Sequence, residues 1–246
     1  MAVLLAHGTP PDATRPNVKP IKTMKTYIAV FTILVTLGGC SKPKTVKPLE
    51  FPTTCVNLKK FHNASLDKTW HPKTNVSGED DNDLAALGKG RKVLAGTEFE
   101  LSGLIQLLGK NARGWGGKFP ESVTGIPVDV PVKTLQFLHG CGWQAPDGTK
   151  IGKYVVHFQD NSTLDIPIVY GVDVRDWWYW TKEPKGTDQS VIAWTGENAA
   201  TKAAGMSLRI YKSTWTNPDP IKRVVSLDFV SSMGGPAPFL IAITAN

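Results

Sequence analysis

GKYVVHFQDNSTLDIPIVYG, residues 152–171, decides the fold. Tyr154, Val156 and Phe158 alternate with Val155 and His157, and a period of two puts each set on its own face of an extended strand. Asp160-Asn161-Ser162 then supplies turn chemistry, and Leu164, Ile166, Ile168 and Tyr170 resume the alternation. The stretch reads as a β-hairpin with one apolar face. Pro167 has no N–H to give to a ladder, which places the return strand at a sheet edge or at a bulge.

The same kind of text recurs on both sides. FPTTCVNLKKF (51–61) reads as a first strand, and GTEFELSGLIQLLG (96–109) as a strand, a turn at Ser102-Gly103 and a second strand. PVKTLQFLHGCGW (131–143) alternates imperfectly through Val132, Leu135 and Phe137 and is expected to end in a tight Gly-rich corner. SLRIYKSTW (207–215), RVVSLDFVSS (223–232) and PFLIAITA (238–245) add three more strands. Residues 199–204 form the one candidate helix, too short to matter. About eight short strands separated by turns make a β-sandwich or jelly roll, not a βαβ fold. The expectation is an all-β domain over residues 51–246, a single jelly-roll-like β-sandwich with long surface loops. One such loop is HPKTNVSGEDDNDLAALGKG (71–90), whose acids Glu79, Asp80, Asp81 and Asp83 offer carboxylates to calcium. Their spacing lacks the order of an EF-hand, and a solvated loop accounts for the same run.

The N-terminus reads differently. Residues 1–23 are Pro-rich without periodicity and are expected to be a mis-assigned extension, with translation starting at Met24. MKTYIAVFTILVTLGGC follows, with one Lys, an apolar run from Tyr27 to Leu37 and then Leu37-Gly38-Gly39-Cys40. The run is too short to span a membrane and has the layout of an export signal. Its ending resembles the bacterial lipoprotein signal, which implies cleavage after residue 39, acylation of Cys40 and a short Pro/Lys linker to residue 50. Ordinary cleavage near Gly39 is the other reading. Each buried acyl methylene contributes about 0.8 kcal/mol, so several chains would hold the protein on a lipid bilayer. Ser41 implies, by the same resemblance, the outer membrane of the cell envelope.

Export also changes the electrostatics. The chain carries a net charge of +7, but removing residues 1–39 takes away four basic residues and one acidic residue and leaves +4. Nucleic-acid binding loses most of its support. With Cys40 acylated, Cys55 and Cys141 remain in an oxidising compartment that permits a disulfide between them. Two buried thiols acting as small hydrophobes are the alternative.

NASL (63–66) with Trp70, NDLAALGKG (82–90), LAGTEFELSGLIQL (94–107), FPESVTGIPV (119–128) and LQFLHGCGW (135–143) together resemble a domain of secreted bacterial proteins. GKYVVHFQDNSTLDIPIVYGVDVRDWW (152–178), LRIYKSTWTNPDP (208–220) and LDFVSSMGGPAPFLIAITA (227–245) extend the likeness. That domain is similar to the galactose-binding-like, carbohydrate-binding jelly rolls attached to glycan-acting enzymes and envelope proteins. The resemblance implies the sandwich and brings no catalytic residues with it. The chain departs from it at Cys141, where a small residue is usual; that adds weight to a pairing with Cys55.

The chemistry concentrates in YGVDVRDWWYW, residues 170–180. Sugar recognition needs aromatic faces for C–H surfaces and charged or amide groups for hydroxyls. Asp173, Arg175, Asp176, Trp178 and Trp180 offer that mixture and are the candidate ligand-binding residues. Extended geometry points Trp178 and Trp180 one way and Trp177 and Tyr179 the other, so one pair can be buried while the other is exposed. Packing accounts for the same residues if Trp177 caps the sandwich and Arg175 pairs with a loop acid.

Evidence for an enzyme is thin. His139 and Cys141 lie two residues apart, too far for a thiol–imidazole pair on one strand, and Glu121 with Asp129 are the only paired carboxylates worth weighing. No nucleophile elbow, zinc motif or phosphate loop occurs. The expectation is a membrane-anchored lipoprotein with a non-catalytic glycan-binding domain and no cofactor beyond calcium. A protein-interaction module of the envelope and a polysaccharide hydrolase are the alternatives.

Overall fold

The computed structural model describes residues 50–71, 82–180 and 186–246. Its first part carries β1 (Thr54–Cys55), β2 (Gly90–Leu94), β3 (Thr97–Leu101), β4 (Ile105–Gln106) and the short helix α1 (Lys110–Gly114). The middle carries β5 (Ser122–Val130), β6 (Thr134–Gly142), β7 (Lys150–Phe158), β8 (Thr163–Val169) and β9 (Trp178–Tyr179). The last part adds β10 (Val191–Gly196), α2 (Ala199–Ala204), β11 (Ser207–Thr216), β12 (Val224–Ser231) and β13 (Ala237–Ala245).

The hairpin is β7 and β8, in a register that sets Tyr154 opposite Ile166 and Val156 opposite Leu164. Asn161 takes a left-handed φ of 64° in the turn, as a short polar side chain can. β8 ends its sheet, which runs β5-β12-β7-β8, so Pro167 sits on an edge strand. The larger sheet runs β1-β13-β6-β11-β10, with β4 added beside β13 and β9 beside β11. β2 and β3 make a separate hairpin. Named strands pair antiparallel throughout. The fold is the expected all-β, jelly-roll-like sandwich.

One core lies between the two sheets. Phe137 of β6 stacks on Tyr154 of β7 with ring centroids 4.0 Å apart, and Tyr154 stacks on Phe229 of β12 at 5.1 Å. Ile126, Leu227, Leu240 and Ile243 fill the space around them. A second core covers the outer face of the larger sheet. Leu138, Leu208, Ile210, Phe239 and Ile241 point there, beneath Phe99 and Leu101 of the β2–β3 hairpin and Leu66, Leu84 and Leu87 of the loops. The larger sheet is therefore buried on both sides. That is why β6 alternates poorly in sequence, and why every position of β13 is buried.

Several expectations change. HGCG (139–142) is not a corner, because β6 runs through Gly142. Its glycines make room for rings: a Cβ at Gly140 would lie 2.6 Å from Cζ of Phe239, and one at Gly142 would lie 2.3 Å from Nε2 of His71. The first strand is shorter than 51–61, since β1 ends at Cys55 and the chain turns at Phe61, whose N–H donates to the Leu58 carbonyl. Cys55 and Cys141 are free thiols, not a disulfide. Register explains it. Cys55 pairs with Thr244 of β13, which pairs with Gln136 of β6, and Cys141 lies five positions further on. That is about 16 Å along a strand, beyond the ~7 Å between Cα atoms that a disulfide can bridge. Cys40, the expected acylation site, and Glu79, Asp80 and Asp81, three of the four expected calcium ligands, lie outside the described residues.

Candidate functional site

Residues 170–180 leave β8 through a tight turn and then join the larger sheet. Asp173 N–H donates to the Val169 carbonyl and Gly171 N–H to that of Val174, each at 2.8 Å. Gly171 has φ 84°, and a Cβ there would strike the Asp147 carboxyl at 2.6 Å. Trp177 N–H then donates to the Cys141 carbonyl at 2.8 Å, and Trp178 and Tyr179 pair with Leu208 and Ser207 of β11. Extended geometry does what the alternation requires. Trp177 and Tyr179 are buried, Trp178 is half-buried and Trp180 is 49% exposed.

Asp176, Trp177 and Trp178 line a cleft of ≈ 180 Å³ together with His71, Asn82, Trp143 and Met206. Its floor is aromatic: the His71 ring lies 4.5 Å from Trp143 and 5.6 Å from Trp177, and Trp70 packs against Trp177 at 4.9 Å. Burial pushes the His71 imidazole down to about 4, so it is neutral at pH 7. Asp176 is then the one charged side chain among the described lining residues. Its backbone carbonyl accepts from Arg209 Nε at 2.9 Å.

Asn82 is held from two sides. Its Oδ1 accepts from Trp178 Nε1 at 3.2 Å and from Asn198 Nδ2 at 3.2 Å. Asn198 also caps α2 through a reciprocal capping box with Thr201 and donates to the Asp83 carbonyl at 3.0 Å. The short helix thus matters after all, because its capping residue fixes one wall of the cleft. Asp83 bonds locally, its Oδ1 accepting from the Ala85 N–H at 3.0 Å.

The five candidate residues of the aromatic stretch are not one constellation. Asp176 and Trp178 meet in this cleft. Asp173 lines a different one, with its Oδ2 accepting from the Val169 N–H at 2.8 Å. Arg175 is committed to Asp147 through two bonds of 2.8 Å, donates to the Gly186 carbonyl and lies over the Tyr170 ring. Trp180 does not line the cleft. Sequence reasoning missed His71, Asn82, Trp143 and Met206, which come from three separate segments.

The enzyme alternatives lose their residues. Glu121 precedes β5 and Asp129 lies near its far end, about 20 Å away once its two bulges are allowed for, and each forms its own ion pair, with Arg113 and Arg223 respectively. Glycosidic carboxylates sit about 5–9.5 Å apart. Burial pushes the Cys141 thiol well up, and His139 Nδ1 bonds instead to the Tyr154 hydroxyl at 3.0 Å. Among the described residues no three His, Cys, Asp or Glu are grouped to hold a metal ion. No protein-family model matches this chain, and no curated protein matches it.

Proposed function

We propose that this chain is a glycan-binding module of the bacterial cell envelope, anchored through acylated Cys40, with one sugar ring seated in the Trp143–Trp178 cleft. The observation that carries the reading is the lining itself. Trp143, Trp177 and Trp178 line a recess of ≈ 180 Å³ together with Asp176 and Asn82. Sugars present C–H faces that pack on aromatic rings and hydroxyls that donate to a carboxylate. The Asn82 carbonyl is spent on Trp178 and Asn198, which leaves its N–H groups for a ligand hydroxyl. The sequence resemblance to carbohydrate-binding jelly rolls supports the same class, and the export signal supports the location.

The test is binding of the full chain to a broad array of glycans and cell-wall polysaccharides, with and without calcium. A saturable signal is expected that falls at least tenfold in Trp178→Ala and persists in Trp180→Ala. Absence of binding across the array, or loss in Trp180→Ala alone, contradicts the assignment. A second reading, an envelope assembly module, draws on β10, which ends the larger sheet and exposes Val191 at 50%.

A further inference from the structure

A larger cleft of ≈ 380 Å³ opens between the two sheets, and its lining shares no residue with the Trp143–Trp178 cleft. We infer that it binds a small organic cation, with the ammonium on Asp173 and the apolar body against Trp215 and the edge strand β8. The walls are apolar on the β8 side, with Ile166, Pro167 and Val172, and Trp215 of β11 lines the same cleft. The deep wall is the Tyr154–His139 pair, already hydrogen-bonded to each other at 3.0 Å.

Charge selects the ligand. Burial pushes the His139 imidazole down to about 3, so at pH 7 the deep wall is neutral. Asp173 is then the one charged side chain among the described lining residues. Its carboxyl accepts the Val169 N–H, and no Lys, Arg or His pairs with it among the described residues. Arg175, two residues on, is spent on Asp147. Desolvation pushes the Asp173 carboxyl up, as it does for a half-buried carboxylate lacking a counter-charge. A cation in the cleft supplies that counter-charge, and its apolar body packs against Trp215. An anion meets only repulsion there, and a neutral ligand leaves the carboxylate uncompensated.

Isothermal titration of the full chain with benzylammonium and with its uncharged counterpart, benzyl alcohol, tests the site. Saturable binding of benzylammonium is expected, with benzyl alcohol at least tenfold weaker. Asp173→Asn keeps an acceptor for the Val169 N–H but removes the charge, and lowers benzylammonium affinity at least tenfold. Trp178→Ala leaves that affinity unchanged, which separates this site from the glycan cleft. Equal affinity for the two probes, no benzylammonium binding at millimolar concentration, or wild-type affinity in folded Asp173→Asn overturns the inference. The comparison of the two probes uses the wild-type chain, so it stands even if Asp173→Asn does not fold.

Discussion

Single residues set the shape of the Trp143–Trp178 cleft, and Gly142 is the most exacting of them. A Cβ there would meet His71 Nε2 at 2.3 Å, and the imidazole is held between Trp143 and Trp177. Gly142→Ala is expected to cost about 1–3 kcal/mol in denaturant unfolding, as overpacking does, and to weaken glycan binding by displacing His71. Gly140→Ala crowds Phe239 instead, whose ring packs edge-on against Trp177, and should destabilise comparably. The thiols give a second check at this scale. Cys141 is fully buried with its thiol pushed up, whereas Cys55 is half-buried at the end of β1. A thiol reagent followed by peptide mapping should label Cys55 in the native chain and Cys141 only on unfolding. A Cys55–Cys141 peptide pair in the non-reduced map would contradict the register.

At the scale of elements, α2 is small and consequential. Asn198→Ala removes the cap of a helix of six residues, at about 1 kcal/mol, and also the donor that fixes Asn82. The variant should therefore bind glycan more weakly than its modest loss of stability suggests, a split that unfolding and binding curves measured side by side would reveal. This element also marks where the sequence was legible and where it was not. The β7–β8 hairpin was readable because one of its faces meets the core and the other meets water, so period and burial agree. β6 could be placed but not faced, since both its sides are buried. On β13 the period of two that sets Phe239, Ile241 and Ile243 on one face is broken by a register shift between Leu240 and Ala242, which turns Ile243 to the core between the sheets. β5 escaped notice: Gly125 and Asp129 take positive φ, and its register with β12 shifts twice, so no clean alternation survives. β2 and β10 are short strands of mixed exposure with the same difficulty. The aromatic stretch displayed its in–out pattern plainly. Which of its polar residues share a cleft depended on the turn at Gly171 and on Asp147 and Asn198, all set by tertiary contacts.

For the molecule as a whole, buried histidines set the response to acid. His71 and His139 lie at about 4 and about 3 in the fold, below the ordinary value of 6.5. The unfolded chain therefore takes up more protons than the folded one once pH drops below 6.5. Stability should be flat from about pH 6.5 to about pH 8 and fall below that range, by up to about 1.4 kcal/mol per pH unit for each histidine. Urea unfolding at pH 7 and pH 5 measures this while Asp67 and Asp160, whose carboxyls are held low by Lys89 and Lys222, stay ionised. Equal stability at the two pH values would mean that neither histidine is buried neutral. The chain's eight tryptophans make occupancy of the Trp143–Trp178 cleft directly visible. In a spectrum of the ¹⁵N-labelled chain, the indole N–H signals report each ring separately as a glycan selected from the array is added. Saturable shifts are expected at Trp143 and Trp178 with Trp115, Trp180 and Trp215 unmoved. Shifts confined to Trp180 or Trp115 would place the sugar elsewhere and contradict the proposed site.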